Sequence, residues 1–142
     1  MAFAGTAADR TVTITATSGK TGGATVTLTV DDGIARGSAQ ITVTVGASGP
    51  DSLAGGSPSN LLLGREGDDT LTGGGGADVL CGANGNDVLS GAGGNDALAG
   101  ARGNDRLTGG TGADRFSGGT STDTATDFST IEGDTEDGTI PW

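Results

Sequence analysis

The chain has 142 residues, of which 30 are glycine, 3% are aromatic and 32% are hydrophobic, and this composition excludes a large globular core. Its 18 acidic and 7 basic residues give a net charge of −11, which disfavours binding to nucleic acid or anionic membranes and favours binding of cations. The chain has no histidine and a single cysteine, Cys81, which argues against zinc and copper sites and against an intrachain disulfide. It also lacks a run of about 18 apolar residues, which argues against a transmembrane helix.

Residues 1–45 alternate apolar residues with threonine, which is typical of half-buried β-strands. Turn residues at 19–23 and 31–33 separate the alternating stretches. The pattern predicts a three-strand antiparallel meander, whose apolar positions are Val12, Ile14 and Ala16, then Val26, Leu28 and Val30, then Ile41, Val43 and Val45.

This meander resembles the closing strands of a bacterial immunoglobulin-like or cadherin-like repeat. A complete sandwich of that type needs about seven strands and about 100 residues, so the resemblance implies that further strands lie upstream. The alternative is a β-cap that belongs only to the unit that follows. We expect residues 1–45 to be the end of an immunoglobulin-like or cadherin-like repeat.

From Gly46 to Thr126 the chain divides into nine consecutive nine-residue units without insertion or deletion. All nine have glycine at position 1, seven have glycine at position 4, eight have aspartate at position 6, and eight have leucine or phenylalanine at position 8. The units read GASGPDSLA, GGSPSNLLL, GREGDDTLT, GGGGADVLC, GANGNDVLS, GAGGNDALA, GARGNDRLT, GGTGADRFS and GGTSTDTAT. Such a strict repeat over 81 of 142 residues predicts a solenoid.

The unit resembles the calcium-binding nonapeptide G-G-x-G-x-D-x-U-x of the RTX (repeats-in-toxin, hemolysin-type) family. The resemblance implies an all-β fold, a right-handed parallel β-roll over residues 46–126 preceded by the short antiparallel meander. In that fold two units make one coil, with a turn at positions 1 to 6 and a short strand at positions 7 to 9.

The resemblance also implies that turn carbonyls and the position-6 carboxylates bind calcium. Glycine at positions 1 and 4 can take positive φ and lets the backbone approach an ion without a Cβ clash. Oxygen ligands at about 2.3–2.6 Å suit Ca²⁺ better than Mg²⁺. The candidate metal-binding residues are Asp51, Asp69, Asp78, Asp87, Asp96, Asp105, Asp114 and Asp123, with Gly64, Gly67, Gly73, Gly76, Gly82, Gly85, Gly91, Gly94, Gly100, Gly103, Gly109 and Gly112.

Stacking of every second unit would place the position-6 side chains in two rows, about 4.8 Å apart along each row. Two bare carboxylates at that distance repel by about 1 kcal/mol in water and about 3.5 kcal/mol at an effective dielectric constant of 20. Ions between them would remove this repulsion. We expect four firm sites, at Asp69/Asp87, Asp87/Asp105, Asp78/Asp96 and Asp96/Asp114, and up to seven with the weaker pairs Asp51/Asp69, Asn60/Asp78 and Asp105/Asp123.

The position-8 residues are the expected core, and positions 7 and 9 are expected to point outward and to expose Cys81. Burial of these few apolar side chains cannot offset the conformational entropy that is lost when 81 residues become ordered. We therefore expect folding to be coupled to metal binding.

Two features mark the end of the repeats. Ser121 replaces glycine at position 4 of the last unit, so we expect Asp123 to lie in a loosened coil. Residues 127–142 resemble the acidic flank that closes RTX arrays and are expected to cap the roll.

The function implied by the resemblance is that of a calcium-binding module of a larger secreted bacterial protein. Such arrays pass unfolded through type I secretion machinery and fold outside in calcium. The start of the chain lacks the features of a signal peptide, and we expect further domains of a parent protein upstream. No enzyme is expected, because no nucleophile-and-base set can be assembled. The alternative is an adhesin or an ice-binding roll that presents outward residues at positions 3 and 5 as a recognition face.

Overall fold

The computed structural model describes residues 22–31, 36–130 and 132–140, and the regular secondary structure in these ranges consists of β-strands. The strands are β1 Gly22–Asp31, β2 Arg36–Val45, β3 Ser52–Ala54, β4 Ser59–Glu66, β5 Thr70–Gly75, β6 Val79–Asn84, β7 Val88–Gly93, β8 Ala97–Arg102, β9 Arg106–Thr111, β10 Arg115–Thr120, β11 Thr124–Ala125 and β12 Thr135–Glu136. These ranges contain no helix that is long and apolar enough to cross a membrane.

The strands of the repeats alternate between two sheets. One is seven-stranded, in the order β1-β2-β4-β6-β8-β10-β12, and the other is five-stranded, in the order β11-β9-β7-β5-β3. Neighbouring repeat strands are parallel, and Leu80 pairs with Leu98 while Leu89 pairs with Leu107. Two nine-residue units therefore make one coil, and the chain forms a parallel β-solenoid of about five turns. This confirms the predicted all-β parallel solenoid, whereas its right-handed sense stays a prediction.

The division of each unit into strand and turn differs from the expectation. The strand β7 covers positions 7 to 9 of one unit and positions 1 to 3 of the next, and the other central strands do the same. The bends lie only at positions 4 to 6. Position 1 therefore belongs to a strand and not to the predicted turn, and no described position-1 glycine has positive φ.

Positive φ occurs instead at positions 2 and 4. The position-4 glycines Gly67, Gly76, Gly85, Gly94, Gly103 and Gly112 have φ between 91° and 136°. At position 2, Arg65, Ala83, Ala92 and Ala101 have φ between 79° and 91° although each carries a Cβ. The glycine found at position 2 of four other units was the sequence signal for this conformation.

The core lies between the two sheets and consists of the position-8 side chains, as predicted. Leu62, Leu71, Leu80, Leu89, Leu98, Leu107 and Phe116 are buried, with Leu53 and Ala125 partly buried at the two ends. Alternate residues on either side of each leucine face outward. Cys81 is one of these, but it is half-buried rather than exposed, because it lies in a shallow apolar depression with Val79, Ala97 and Ala99.

At the N-terminal end, β1 pairs with β2 in antiparallel orientation, and β2 pairs with β4 in parallel orientation from Ile41↔Ser59 to Val45↔Leu63. The hydrogen-bonded sheet thus continues across the predicted boundary at residue 45. The first predicted strand, around Val12 to Ala16, lies outside the described residues. The three-strand meander and its relation to a sandwich domain therefore stay predictions.

At the other end, residues after 126 pack against the last coil. The ring of Phe128 lies 6.0 Å from that of Phe116 in an edge arrangement, and Ile140 is buried in the same core cluster. Strand β12 extends the seven-stranded sheet by pairing with β10. The described part of the acidic flank thus covers apolar surface at the end of the solenoid.

Candidate metal centre

The position-6 side chains form two rows, one at each side of the solenoid, because each coil places its turns directly over those of the coil before it. In each row the Oδ1 atom of one aspartate accepts a hydrogen bond of 2.7–2.9 Å from the backbone N–H of the position-6 residue one coil earlier. The first row holds Asp51, Asp69, Asp87, Asp105 and Asp123, and the second holds Asn60, Asp78, Asp96 and Asp114.

The second oxygen of most of these carboxylates has no hydrogen-bond donor. Asp87 and Asp96 have only 1% and 2% of their surface exposed, and the Oδ2 atom of each is fully buried and unsatisfied. The same holds for Asp69, Asp78, Asp105, Asp114 and Asp123. Native proteins rarely leave a buried polar atom unpaired, and a cation is the partner that a row of bare carboxylate oxygens would accept.

The position-1 glycines leave the space in which these oxygens lie. A Cβ built on Gly82 would overlap Oδ2 of Asp87, and one built on Gly91 would overlap Oδ2 of Asp96. At Gly91 the carbonyl oxygen of Gly109, one coil further along, lies 2.6 Å from the same point. A carboxylate oxygen and a backbone carbonyl oxygen therefore converge where a side chain at position 1 would have stood.

Burial makes the ionised form of these groups unfavourable when no cation is bound. Desolvation raises the pKa of Asp87 to about 6, and the negative charges of Asp105 and Asp69 act in the same direction, while the N–H of Asp69 opposes them. Desolvation also raises the pKa of Asp69, Asp96, Asp105 and Asp114. A divalent cation would remove both the repulsion and the cost of burying the charges.

The ligands available are oxygens. Among the described residues no group of three or more His, Cys, Asp or Glu side chains converges. A metal here would therefore be held by one or two carboxylates together with backbone carbonyls, a hard oxygen set that suits Ca²⁺. The donor chemistry and the unsatisfied Oδ2 atoms fit calcium. The assignment of the individual aspartates and glycines as calcium ligands stays a prediction.

Two residues at the ends of the first row behave differently from each other. Asp51 is only half-buried, and its Oδ2 accepts a hydrogen bond from the N–H of Ala47. Asp123 was expected in a loosened coil, and this was wrong: it is 1% exposed, and its Oδ1 accepts the N–H of Asp105 at 2.9 Å. The reason is that Ser121 takes the required positive φ, at 99°, despite its Cβ.

Several residues around the rows were not anticipated from the sequence. Asp134 continues the second row, because its Oδ1 accepts the N–H of Asp114 at 2.8 Å, but its Oδ2 accepts the N–H of Ser129. Its spacing of 20 residues from Asp114 breaks the 18-residue register, which hid it from the repeat pattern. At the end of the five-stranded sheet, the carboxylate of Asp127 accepts hydrogen bonds from the N–H groups of Gly109 and Gly110.

A third ladder runs along position 5 beside the first row. The N–H of Asn86 donates to Oδ1 of Asp68 at 2.8 Å, that of Asn104 to Asn86 at 2.9 Å, and that of Thr122 to Asn104 at 3.0 Å. Asparagine at position 5 of three successive units, residues 86, 95 and 104, was the available signal. These exposed contacts join the turns of successive coils.

Comparison with known proteins gave one family. A family model described as the RTX calcium-binding nonapeptide repeat (4 copies) matches residues 55–89 and 90–125, which together make up half of the chain. No match was found among curated proteins or among solved structures.

Proposed function

The chain belongs to the RTX calcium-binding nonapeptide repeat family, and from this premise we propose that it is a calcium-binding module whose solenoid folds when calcium binds. The observation that carries the proposal is the set of seven buried Oδ2 atoms without a donor. Their carboxylates lie in two rows at the turns, where at neutral pH divalent cations would neutralise many like charges at once.

In this proposal two successive turns of one row would hold each ion. The carboxylate oxygens of two position-6 aspartates and the carbonyl oxygens of the turns between them supply the ligands. The four pairs Asp69/Asp87, Asp87/Asp105, Asp78/Asp96 and Asp96/Asp114 are the firm sites, and up to seven ions bind in all. Calcium would neutralise the charges, and the chain would supply the stacked carboxylate and carbonyl oxygens as it folds around the ions.

The biological setting follows from the family and from the charge. A net charge of −11 resists collapse when calcium is scarce, as it is in a cytosol. We propose that the module leaves the cell unfolded through type I secretion machinery, folds outside, and is joined to upstream domains of a parent protein. The repeat solenoid is a structural calcium-binding fold, and we assign no catalytic role to it.

The alternative, an adhesin or ice-binding face at positions 3 and 5, has less support. The position-5 ladder is regular, but the side-chain oxygens of Asp68, Asn86 and Asn104 are engaged by backbone N–H groups of the next coil. Position 3 varies from Glu66 to Asn84 to Arg102 in successive coils of one row. Such a surface lacks the repeated free groups that a recognition face requires.

Direct measurement of bound calcium tests the proposal. Equilibrium dialysis of the chain against millimolar calcium at pH 7.5, followed by elemental analysis, should give about four to seven ions per chain. The variant Asp87→Ala, whose side chain contributes to two firm pairs, should bind fewer. A wild-type chain that retains no calcium under these conditions would rule the proposal out.

A further inference from the structure

Asn60 is the only position-6 residue of the nine units that is not aspartate, and its surroundings are those of a filled site. The side chain is 3% exposed. Its Nδ2 lies 2.6 Å from the carbonyl oxygen of Pro58, 3.3 Å from that of Gly56 and 3.2 Å from that of Gly73. Oδ1 of Asp78 lies 2.8 Å from the same nitrogen. Four oxygens therefore surround one nitrogen.

An amide nitrogen carries only two hydrogens, so four oxygens are more acceptors than Asn60 can satisfy. These oxygens come from two successive coils along the second row. Gly56 and Pro58 lie in the turn of Asn60, whereas Gly73 and Asp78 belong to the next coil. A cage of three carbonyls and one carboxylate oxygen is a ligand set for a hard cation. Here its centre is occupied by a covalently attached NH₂ group.

The backbone of this turn is in register with the others. The N–H of Asn60 donates to Oδ1 of Asp78 at 2.7 Å, as the N–H of Asp78 does to Asp96 at 2.8 Å. A Cβ built on Gly55 would overlap the amide of Asn60, just as one on Gly73 would overlap Oδ2 of Asp78. The amide nitrogen thus occupies the place of the Oδ2 atom that is left unsatisfied in the aspartate turns, and Asn60 has no unsatisfied atom of its own.

We infer that the amide of Asn60 replaces both a carboxylate oxygen and the calcium ion that this oxygen would bind, so that the first turn of the second row needs no metal. The inference rests on the proposed function, because it compares this turn with calcium-binding turns elsewhere in the solenoid. It removes Asn60/Asp78 from the possible sites, which lowers the largest expected number of ions from seven to six, and it makes Asp78/Asp96 the first site of that row. Pro58 stands at position 4 of this turn, and its carbonyl makes the shortest contact to the amide.

The consequence is a solenoid with one built-in, calcium-independent turn next to the N-terminal strands. Asn60 lies in β4, which pairs with β2 at Thr42↔Asn60. The turn therefore joins the repeats to the preceding strands by contacts that do not depend on calcium concentration.

Two substitutions at this position test the inference through the number of bound ions. Asn60→Asp replaces the NH₂ group by an oxygen of similar size and should add one calcium ion per chain. Asn60→Ala removes the amide without adding a charge. At saturating calcium it should leave the number of bound ions unchanged and lower the free energy of unfolding. Asn95→Asp, at an exposed position 5, is the matched control for the added charge and should add no ion.

Native mass spectrometry and equilibrium dialysis would both report the ion number. A folded Asn60→Asp that binds no additional ion would overturn the inference, and so would an Asn60→Ala that loses one, since Asn60 would then be a calcium ligand in the wild type. The second variant keeps the test decisive if the first does not fold. A wild-type chain that binds no calcium would instead refute the proposed function.

Discussion

At the scale of single residues, the position-6 carboxylate has two roles that are separated between its two oxygens. Oδ1 of Asp87 accepts the N–H of Asp69 and so fixes the spacing of two coils, whereas Oδ2 is buried without a donor. The first role is a hydrogen bond within the solenoid, and the second is fulfilled when a cation binds. Substitution of such a residue therefore affects both the backbone hydrogen bonding and the binding of metal.

We expect Asp87→Ala to raise the calcium concentration at half-folding by about tenfold, equivalent to about 1.4 kcal/mol. Asp51→Ala should raise it by less than about threefold, because Asp51 is half-buried and its Oδ2 already accepts the N–H of Ala47. Calcium titrations followed by circular dichroism would compare the two. Equal shifts would show that the central and terminal turns do not differ as the structure indicates.

The position-1 glycines provide the second test at this scale. Gly82→Ala should destabilise the calcium-bound solenoid by about 1–3 kcal/mol, because its Cβ would overlap the carboxylate of Asp87. Gly49→Ala is the control, since no atom lies within 4 Å of a Cβ at that position, and it should change the free energy of unfolding by less than about 0.5 kcal/mol. Urea denaturation in saturating calcium measures both, and a tolerated Gly82→Ala would refute the assigned packing.

At the scale of the element, each of the seven strand–turn units from Gly64 onward has two residues of positive φ, at positions 2 and 4. Glycine takes this conformation at six position-4 sites and three position-2 sites, and alanine, arginine or serine takes it at the others. A residue with a Cβ in this conformation costs about 1–3 kcal/mol, which the stacking of neighbouring coils must offset. The cost is therefore concentrated at particular turns, and Ser121 in the last unit is one of them.

Ser121→Gly should therefore stabilise the solenoid, by about 1 kcal/mol, without altering the position of Asp123. Ser121→Ala retains a Cβ and serves as the control, for which we expect no stabilisation. Thermal denaturation in saturating calcium would measure the difference between the two variants. If alanine stabilised the protein as much as glycine, the gain could not be assigned to the positive φ.

At the scale of the whole molecule, the solenoid carries a row of buried carboxylates on each side, and this links its stability to pH when calcium is withheld. Burial raises the pKa of Asp87 to about 6 and raises those of Asp69, Asp96, Asp105 and Asp114 in the same direction. In an unfolded chain, aspartate titrates near about 3.9. Because the folded pKa is the higher one, the stabilisation due to protonation is complete below about pH 4 and is lost as the pH rises through about 6.

Chelator-treated protein should therefore gain β-structure when the pH is lowered from 7.5 to about 4.5, without any metal. Over the same range the affinity for calcium should fall, since protons compete for the same carboxylates. Circular dichroism of the metal-free chain at a series of pH values measures the first effect. A metal-free chain that loses structure on acidification through this range would contradict the pKa directions.

The strict nine-residue register explains why much of this molecule could be predicted from its sequence. When two units make one coil, position 6 must stack on position 6 and position 8 on position 8, so the two rows and the leucine core followed directly. The register could not predict Asp134, which enters the second row after 20 residues instead of 18. Nor could it show that position 1 is a strand residue facing a carboxylate, because glycine at that position is equally compatible with a turn.

The end structures were less predictable because they depend on single contacts between non-repeated residues. Thr139, whose Oγ1 accepts the N–H groups of Gly118 and Gly119, has no counterpart in the units. Likewise, the amide of Asn60 acquires its four oxygens only after two coils have stacked.

The central claim is that calcium binding drives the folding of this solenoid, and a calcium titration followed by far-ultraviolet circular dichroism at pH 7.5 tests it most directly. In excess EDTA the chain should lack most of its β signal, and it should gain that signal cooperatively between roughly 10⁻⁴ and 10⁻³ M calcium, the range of extracellular calcium modules. Magnesium at the same concentrations should not substitute. A chain that gives the full β signal in excess EDTA at this pH would contradict the claim.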